Sequence, residues 1–380
     1  MTNSLSQLII KFLIKLEFYK LFLEVAVSEA SLTWLQFVVC GAIIVFAGTK
    51  LSRYGDMIAE KTGLTRNWVG LFLLAMITSL PEMVASSSAS VIGAPDIAMG
   101  NIFGSNLFNL MILVVLDFMC RRSPMLSRTK ANHILTASFG ILLSGIAASF
   151  ILFYSLVGRE RFPNYSHFYL GWELLLILII YLWGMRLIFV REKRLGTAVE
   201  EAEELKYSDI SKRKCYGFFI LYAAMIVFAG IRLTQMGEVI SRLPLHLAGR
   251  EAVLGQTLVG MILIAIVTSL PELVVSIGAF RLGALDMAVG NMLGSNMFNL
   301  LVVPIAGLLF VKGPILMYVS INHVVTALLG IVIAMVVILA LKIRSTRSLW
   351  GTAGVESWVM LLIYLAGNYL IFKMNLTLLQ

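Results

Sequence analysis

The chain has 380 residues, of which 59% are hydrophobic and 13% charged, with a mean hydropathy of +0.91. Soluble domains hold roughly 45–50% apolar residues, so the composition excludes them and leaves a polytopic membrane protein. The net charge of +9 could suggest nucleic acid, but Lys and Arg lie in short connections between apolar runs, where they act as topology signals; no nucleic-acid partner is expected.

Residues 1–31 mix Leu8, Phe12 and Leu16 with Lys11, Lys15, Glu17 and Lys20. That is too charged for a span and poorly built for a cleaved signal, and it reads as an amphipathic segment lying on the membrane. Apolar runs of spanning length follow at 32–51, 66–92, 96–119, 132–157, 167–190, 216–240, 254–281, 286–312, 322–342 and 351–373. The spacing predicts an all-α integral membrane protein with about ten transmembrane helices. The longest polar gap, 191–215, contains Glu200, Glu201, Glu203 and Glu204 and reads as a linker between a first repeat, 32–190, and a second, 216–373. Cys40, Cys120 and Cys215 form no C-x-x-C pair, so neither a disulfide framework nor a zinc site is indicated.

Lys50, Arg53, Arg121, Arg122, Arg191, Arg194, Lys342 and Arg347 fall in alternate connections, and the opposite face holds roughly half as many basic residues. The linker is therefore expected in the cytoplasm and the N-terminus outside, in a multi-pass protein of the cell (inner) membrane. Because five spans is an odd number, the second half must enter upside down, giving two inverted five-helix repeats.

The repetition is visible in the residues. Thr78-Ser79-Leu80-Pro81-Glu82 and then Gly100-Asn101-Ile102-Phe103-Gly104-Ser105-Asn106-Leu107-Phe108-Asn109 recur, at a constant offset of 190, as Thr268-Ser269-Leu270-Pro271-Glu272 and Gly290-Asn291-Met292-Leu293-Gly294-Ser295-Asn296-Met297-Phe298-Asn299. Val45-Phe46-Ala47-Gly48 returns as Val227-Phe228-Ala229-Gly230, and Asn132-His133 as Asn322-His323. Under inversion only mid-span residues of the two halves converge. His133 and His323 are expected at opposite membrane faces, too far apart to share a metal, and Asp96 and Asp286 are expected to be helix N-caps.

Each motif sets a proline and a carboxylate in an apolar run, which is costly unless compensated. At 3.6 residues per turn Thr78, Ser79, Glu82 and Ser86 share one helix face, as do Thr268, Ser269, Glu272 and Ser276. Pro81 and Pro271 lack an N–H, so carbonyls near Ile77 and Thr78, and near Val267 and Thr268, lose their donors. Asn101, Ser105 and Asn109 lie four apart, as do Asn291, Ser295 and Asn299. Gly100 with Gly104, and Gly290 with Gly294, are small-x-x-x-small pairs for close helix approach. Back-bonding serines, proline kinks and packing glycines would explain any one of these residues. They do not explain two duplicated mid-span glutamates. Carboxylates, hydroxyls, amides and carbonyls without thiolate or imidazole suit hard cations such as calcium or sodium, not zinc or copper. An intramembrane enzyme would need a mid-span base and no His lies there, and a passive channel does not need two broken helices in an inverted repeat.

These motifs resemble the alpha repeats of the calcium/cation antiporter superfamily, which contains the sodium/calcium exchangers, over nearly the whole chain. The resemblance implies a secondary antiporter, not an enzyme, that exchanges calcium for sodium or protons by alternating access at one central site, with no resident cofactor and with membrane lipid and transported cations as partners. It implies that Glu82 and Glu272 are the shared carboxylates and that the carbonyls of Thr78 and Thr268 complete a calcium site. Ser79, Ser105, Ser269 and Ser295, with the carbonyls of Ala75 and Ala265, would serve sodium. This chain departs from the pattern at Ile77 and Val267, where glycine is usual. It departs again at Asn299, where an aspartate commonly stands opposite the asparagine at Asn109. The site would then hold two carboxylates rather than three. No large calcium-sensing insert is present between the repeats, and nothing in the residues speaks to oligomeric state.

Overall fold

The computed structural model describes residues 29–62, 64–120, 123–158, 161, 171–196, 210–242, 244–247, 250–253, 268–344, 346–349 and 353–377. The first half comprises α1 (Glu29–Thr62), the bent pair α2 (Arg66–Thr78) and α3 (Leu80–Val91), α4 (Pro95–Met119), the short α5 (Met125–Arg128), α6 (His133–Val157) and α7 (Trp172–Gly196). The second comprises α8 (Lys212–Arg242), α9 (Leu270–Arg281), α10 (Leu285–Leu309), α11 (Asn322–Ile343) and α12 (Val355–Thr377). Among the described residues seven helices are long and apolar enough to cross a membrane, and α2 with α3 makes an eighth. Helix α12 adds a shorter apolar run, and α9 is the described half of the seventh predicted span. The amphipathic segment expected before residue 29 lies outside the described residues.

Matching elements of the halves agree in length: α3 and α9 have 12 residues each, and α4 and α10 have 25 each. Their inversion follows from one contact. Within a repeat the third and fourth spans run antiparallel and start at opposite ends, yet His133, which starts α6, bonds Asp286 in the first turn of α10. Helix α10 thus starts at the end where α4 finishes. The molecule is two inverted five-helix repeats.

Helices α4 and α10 form the centre. In their most apolar stretches 72% and 78% of residues are buried, against 17% to 44% in α1, α6, α7, α8 and α11. The outer helices present large apolar side chains outward, Leu156 and Leu362 being 76% and 71% exposed, as lipid contact demands. Gly290 and Gly294 let α10 lie directly on α2: a Cβ on Gly290 would stand 2.7 Å from the Asn67 carbonyl, and one on Gly294 2.3 Å from the Leu71 carbonyl. Gly70 repays the approach from the other side, where a Cβ would be 2.2 Å from the Met287 carbonyl. Here α2 is π-helical, over Val69–Leu74, a local widening that no residue pattern announces. The Val-Phe-Ala-Gly glycines are also contact points. Gly48 of α1 meets Val274, and Gly230 of α8 meets Pro81 and, more loosely, Pro271.

The structure departs from the sequence expectation in two places. Asp96 and Asp286 are not N-caps: each lies inside the first turn, without a cap bond from its side chain. Instead Asp286 Oδ1 accepts from Lys130 N (2.8 Å) and faces His133 Nε2 (3.0 Å), while Asp96 Oδ1 accepts from Ser320 N (2.6 Å) and faces His323 Nε2 (3.3 Å). An Asp one turn in points back across the helix start, and inversion brings the other repeat's histidine to that spot. Second, α7 continues to Gly196 and α8 begins at Lys212, so helix extends into both ends of the stretch read as linker. Glu192 is held there, accepting from Thr65 Oγ1 (2.5 Å) and Asn67 Nδ2 (2.7 Å). The molecule is all-α as expected, with one short antiparallel hairpin, Pro244–Leu247 with Arg250–Val253, after α8. Pro244 cannot extend α8, having no N–H to donate.

Candidate cation site

The site is built at the bend between α2 and α3 and at the matching break before α9. Helix α2 ends at Thr78, Ser79 leaves helical geometry (φ −91°, ψ 7°), and α3 sets off at 43° to α2. Ser269 repeats this geometry before α9 (φ −85°, ψ 8°). Pro81 and Pro271 fall in the first turns of α3 and α9, where a missing N–H costs least. Glu82 and Glu272 follow them, at helix N-termini whose exposed N–H groups and dipoles favour carboxylates.

The two halves interlock across the pseudo-twofold axis. Ser79 Oγ donates to Glu272 Oε1 at 2.7 Å, and Ser269 Oγ donates to Glu82 Oε1 at 3.2 Å. Thr78 Oγ1 lies 3.5 Å from Asn291 Oδ1, and Thr268 Oγ1 lies 3.4 Å from Asn101 Oδ1. Asn101 Nδ2 donates to the Glu82 carbonyl (3.2 Å) and Ser86 Oγ (2.9 Å), and Asn291 Nδ2 to the Glu272 carbonyl (3.5 Å) and Ser276 Oγ (2.9 Å). Where α4 crosses α10, Asn109 Nδ2 donates to Asn296 Oδ1 and Asn299 Nδ2 to Asn106 Oδ1, both at 3.0 Å.

Thr78, Ser79, Glu82, Ser105, Asn109, Thr268, Ser269, Glu272, Ser295 and Asn299 are all buried, each at 0% exposure; Ser79 with Glu272 and Ser269 with Glu82 join the repeats at the bend, and Asn109 and Asn299 join them at the α4–α10 crossing. Among the described residues six oxygens of this set have no hydrogen-bond partner: Glu82 Oε2, Ser105 Oγ, Asn109 Oδ1, Glu272 Oε2, Ser295 Oγ and Asn299 Oδ1. Three come from each repeat, at matching positions. Buried polar atoms are nearly always bonded, and these six, matched between the repeats, are oxygen donors of the kind a hard cation takes. The Ala75 carbonyl, by contrast, already accepts from Ser79 N (3.1 Å) and, weakly, Thr78 Oγ1 (3.4 Å), and Ala265 lies outside the described residues. Asn106, Asn296, Asn101 and Asn291 were not among the candidate ligands. Their duplication was the available signal, but that their partners lie in the opposite repeat was not legible.

A bilayer-spanning inverted repeat with a broken helix in one half, the same non-helical serine in the other, and matched buried carboxylate, hydroxyl and amide oxygens defines the class of secondary cation carriers. The profile of the sodium/calcium exchanger protein family matches residues 32–186 and 214–373, and the chain belongs to that family of membrane antiporters. It is 27% identical over 340 residues to CaxA of Alkalimonas amylolytica, covering 89% of this chain and 98% of that protein. It is 26% identical over 281 residues to the sodium/calcium exchanger MaX1 of Methanosarcina acetivorans, covering 67% and 76%. The fold is that of the sodium-calcium exchanger NCX_Mj, with a TM-score of 0.60 at 20% identity over 89% of this chain and 98% of that one.

Proposed function

We propose that this antiporter exchanges calcium for sodium by alternating access at the site between the two breaks. The six partnerless oxygens are the observation that carries the reading. Glu82 and Glu272 supply two negative charges, enough to neutralise one calcium ion, while the amide and hydroxyl oxygens complete a neutral shell. The C-terminal end of α2 adds carbonyl dipoles around Thr78 of the sign a cation needs. Because each repeat supplies half of the ligands, a relative movement of the halves can open the site toward either face in turn. A site beside the mid-span prolines lies near the bilayer midplane, and the basic connections put the 191–215 side in the cytoplasm.

A proton-coupled exchange is the second reading, favoured by Asn299: a neutral amide gives an additional monovalent cation less electrostatic support than a carboxylate. Calcium-45 uptake into proteoliposomes, with sodium and proton gradients imposed separately, decides between them. Uptake driven by outward sodium at symmetrical pH supports sodium coupling. Uptake driven by a proton gradient alone transfers the reading to protons, and absence of uptake under either gradient removes calcium.

A further inference from the structure

The crossing of α4 and α10 contains two asparagines that the cation reading does not use. Asn106 and Asn296 are buried, at 7% and 8% exposure, and each holds the amide of the candidate ligand from the other repeat. A primary amide has two unlike ends: its oxygen attracts a cation, and its NH2 group repels one. Which end faces the site depends on what grips the other.

One bond decides the matter on one side. Asn296 Nδ2 donates to the main-chain carbonyl of Asn106 at 3.2 Å, and a carbonyl can only accept. Asn296 must therefore direct its NH2 to that carbonyl and its Oδ1 to Asn109. Asn109 answers with its own NH2, which leaves Asn109 Oδ1, buried and without a partner among the described residues, for the site. On the other side Asn106 Oδ1 accepts from Asn299 Nδ2, but among the described residues no main-chain carbonyl holds the Asn106 NH2. That pair is free to reverse.

We propose that Asn106 and Asn296 are positioning residues that set the amide polarity of the cation site, and that their unequal anchoring lets position 299 carry a carboxylate while position 109 cannot. This rests on the cation-site reading above. An aspartate at 299 would find Asn106 able to turn and donate to it. At 109 it would meet Asn296 Oδ1, acceptor against acceptor, unless Asn296 surrendered its bond to the main chain.

The test is calcium-45 uptake by the full chain in proteoliposomes, as a function of calcium concentration, for wild type, Asn109→Asp, Asn299→Asp, Asn106→Leu and Asn296→Leu. The two aspartates add the same charge at equivalent positions, so charge alone predicts equal shifts. The expected result is a half-saturation concentration at or below wild type for Asn299→Asp and raised about ten-fold for Asn109→Asp, which is about 1.4 kcal/mol. Both leucine variants should raise half-saturation about ten-fold with maximal rates within about three-fold of wild type, the split expected of lost ion binding. Equal shifts in the aspartate pair overturn the proposal. So do leucine variants that lower the maximal rate and leave half-saturation unmoved, as a packing role would. If either pair does not purify as a monodisperse protein, the other decides. Failure of the underlying reading has its own signature: wild type takes up no calcium, or Glu82→Gln behaves as wild type.

Discussion

At the residue scale the unlike treatment of the two oxygens of each glutamate is informative. Glu82 and Glu272 each have one oxygen held by a serine of the other repeat and one without a partner among the described residues, so each is oriented without being neutralised. Glu82→Gln and Glu272→Gln are predicted to abolish calcium uptake while leaving a monodisperse protein, since each removes one of two charges and little volume. Uptake at normal affinity in either variant would remove the site from the mechanism. Ser79→Ala takes away the donor 2.7 Å from Glu272 Oε1. A hydrogen bond to a charged group is worth about 1.5–3 kcal/mol, so half-saturation for calcium should rise about ten-fold or more. Asn299→Asp is predicted to steepen the dependence of calcium uptake on internal sodium, because a third carboxylate supports an additional monovalent ion. A wild type already steeply sodium-dependent, and unchanged by the substitution, would show that this position does not set coupling.

At the element scale the central contact is α10 against α2, backbone to backbone. An added methyl at Gly294 would stand 2.3 Å from the Leu71 carbonyl, and helix backbone cannot yield as a flexible side chain can. Gly294→Ala should therefore cost about 1–3 kcal/mol, the usual range for overpacking. It should also displace α2, which ends at Thr78 in the site, so transport should fall with stability. Gly41 and Gly217 have nothing within 4 Å of an added Cβ. Alanine at either, inside a helix with room for the methyl, should raise stability by about 0.5–1 kcal/mol. Thermal unfolding in detergent compares the three, and an unaltered transition for Gly294→Ala would contradict the packing.

At the scale of the whole molecule, the repeats are tied at both ends of α4 as well as in the middle. The His133–Asp286 and His323–Asp96 pairs are separated by about 35 Å, the length of a 25-residue helix. They are unequal. His133 is fully buried beside an Asp side chain 22% exposed, whereas Asp96 is 49% exposed and its histidine lies 0.3 Å further away, at 3.3 Å against 3.0 Å. Solvent screening weakens the second pair. A double-mutant cycle on His133→Ala and Asp286→Asn should return a coupling energy of about 1–3 kcal/mol, and the cycle on His323→Ala and Asp96→Asn less than about 1 kcal/mol. Equal couplings would mean that burial does not set their strength. The proposed orientation is tested separately, by labelling a cysteine placed in the 197–209 segment of intact cells. Labelling from outside would invert it.

Membrane class, about ten spans, two inverted repeats and the duplicated glutamate motif were legible in the residues. Hydropathy sets span length against a fixed bilayer thickness, an odd number of spans forces inversion, and burial of a carboxylate is costly enough that a duplicated pair stands out. What the residues could not show was which atom meets which across the axis. Asp96 and Asp286 look like local caps because capping is a short-range pattern, and their actual histidine partners are 227 and 153 positions away. The π-helical turn of α2 and the grip of Glu192 on Thr65 and Asn67 likewise carry no periodic signature. Above all, each serine–glutamate bond and each asparagine pair joins one repeat to the other. A periodic pattern reports the face on which a side chain lies, and only the packing of two such faces decides which of its atoms are satisfied and which remain for an ion.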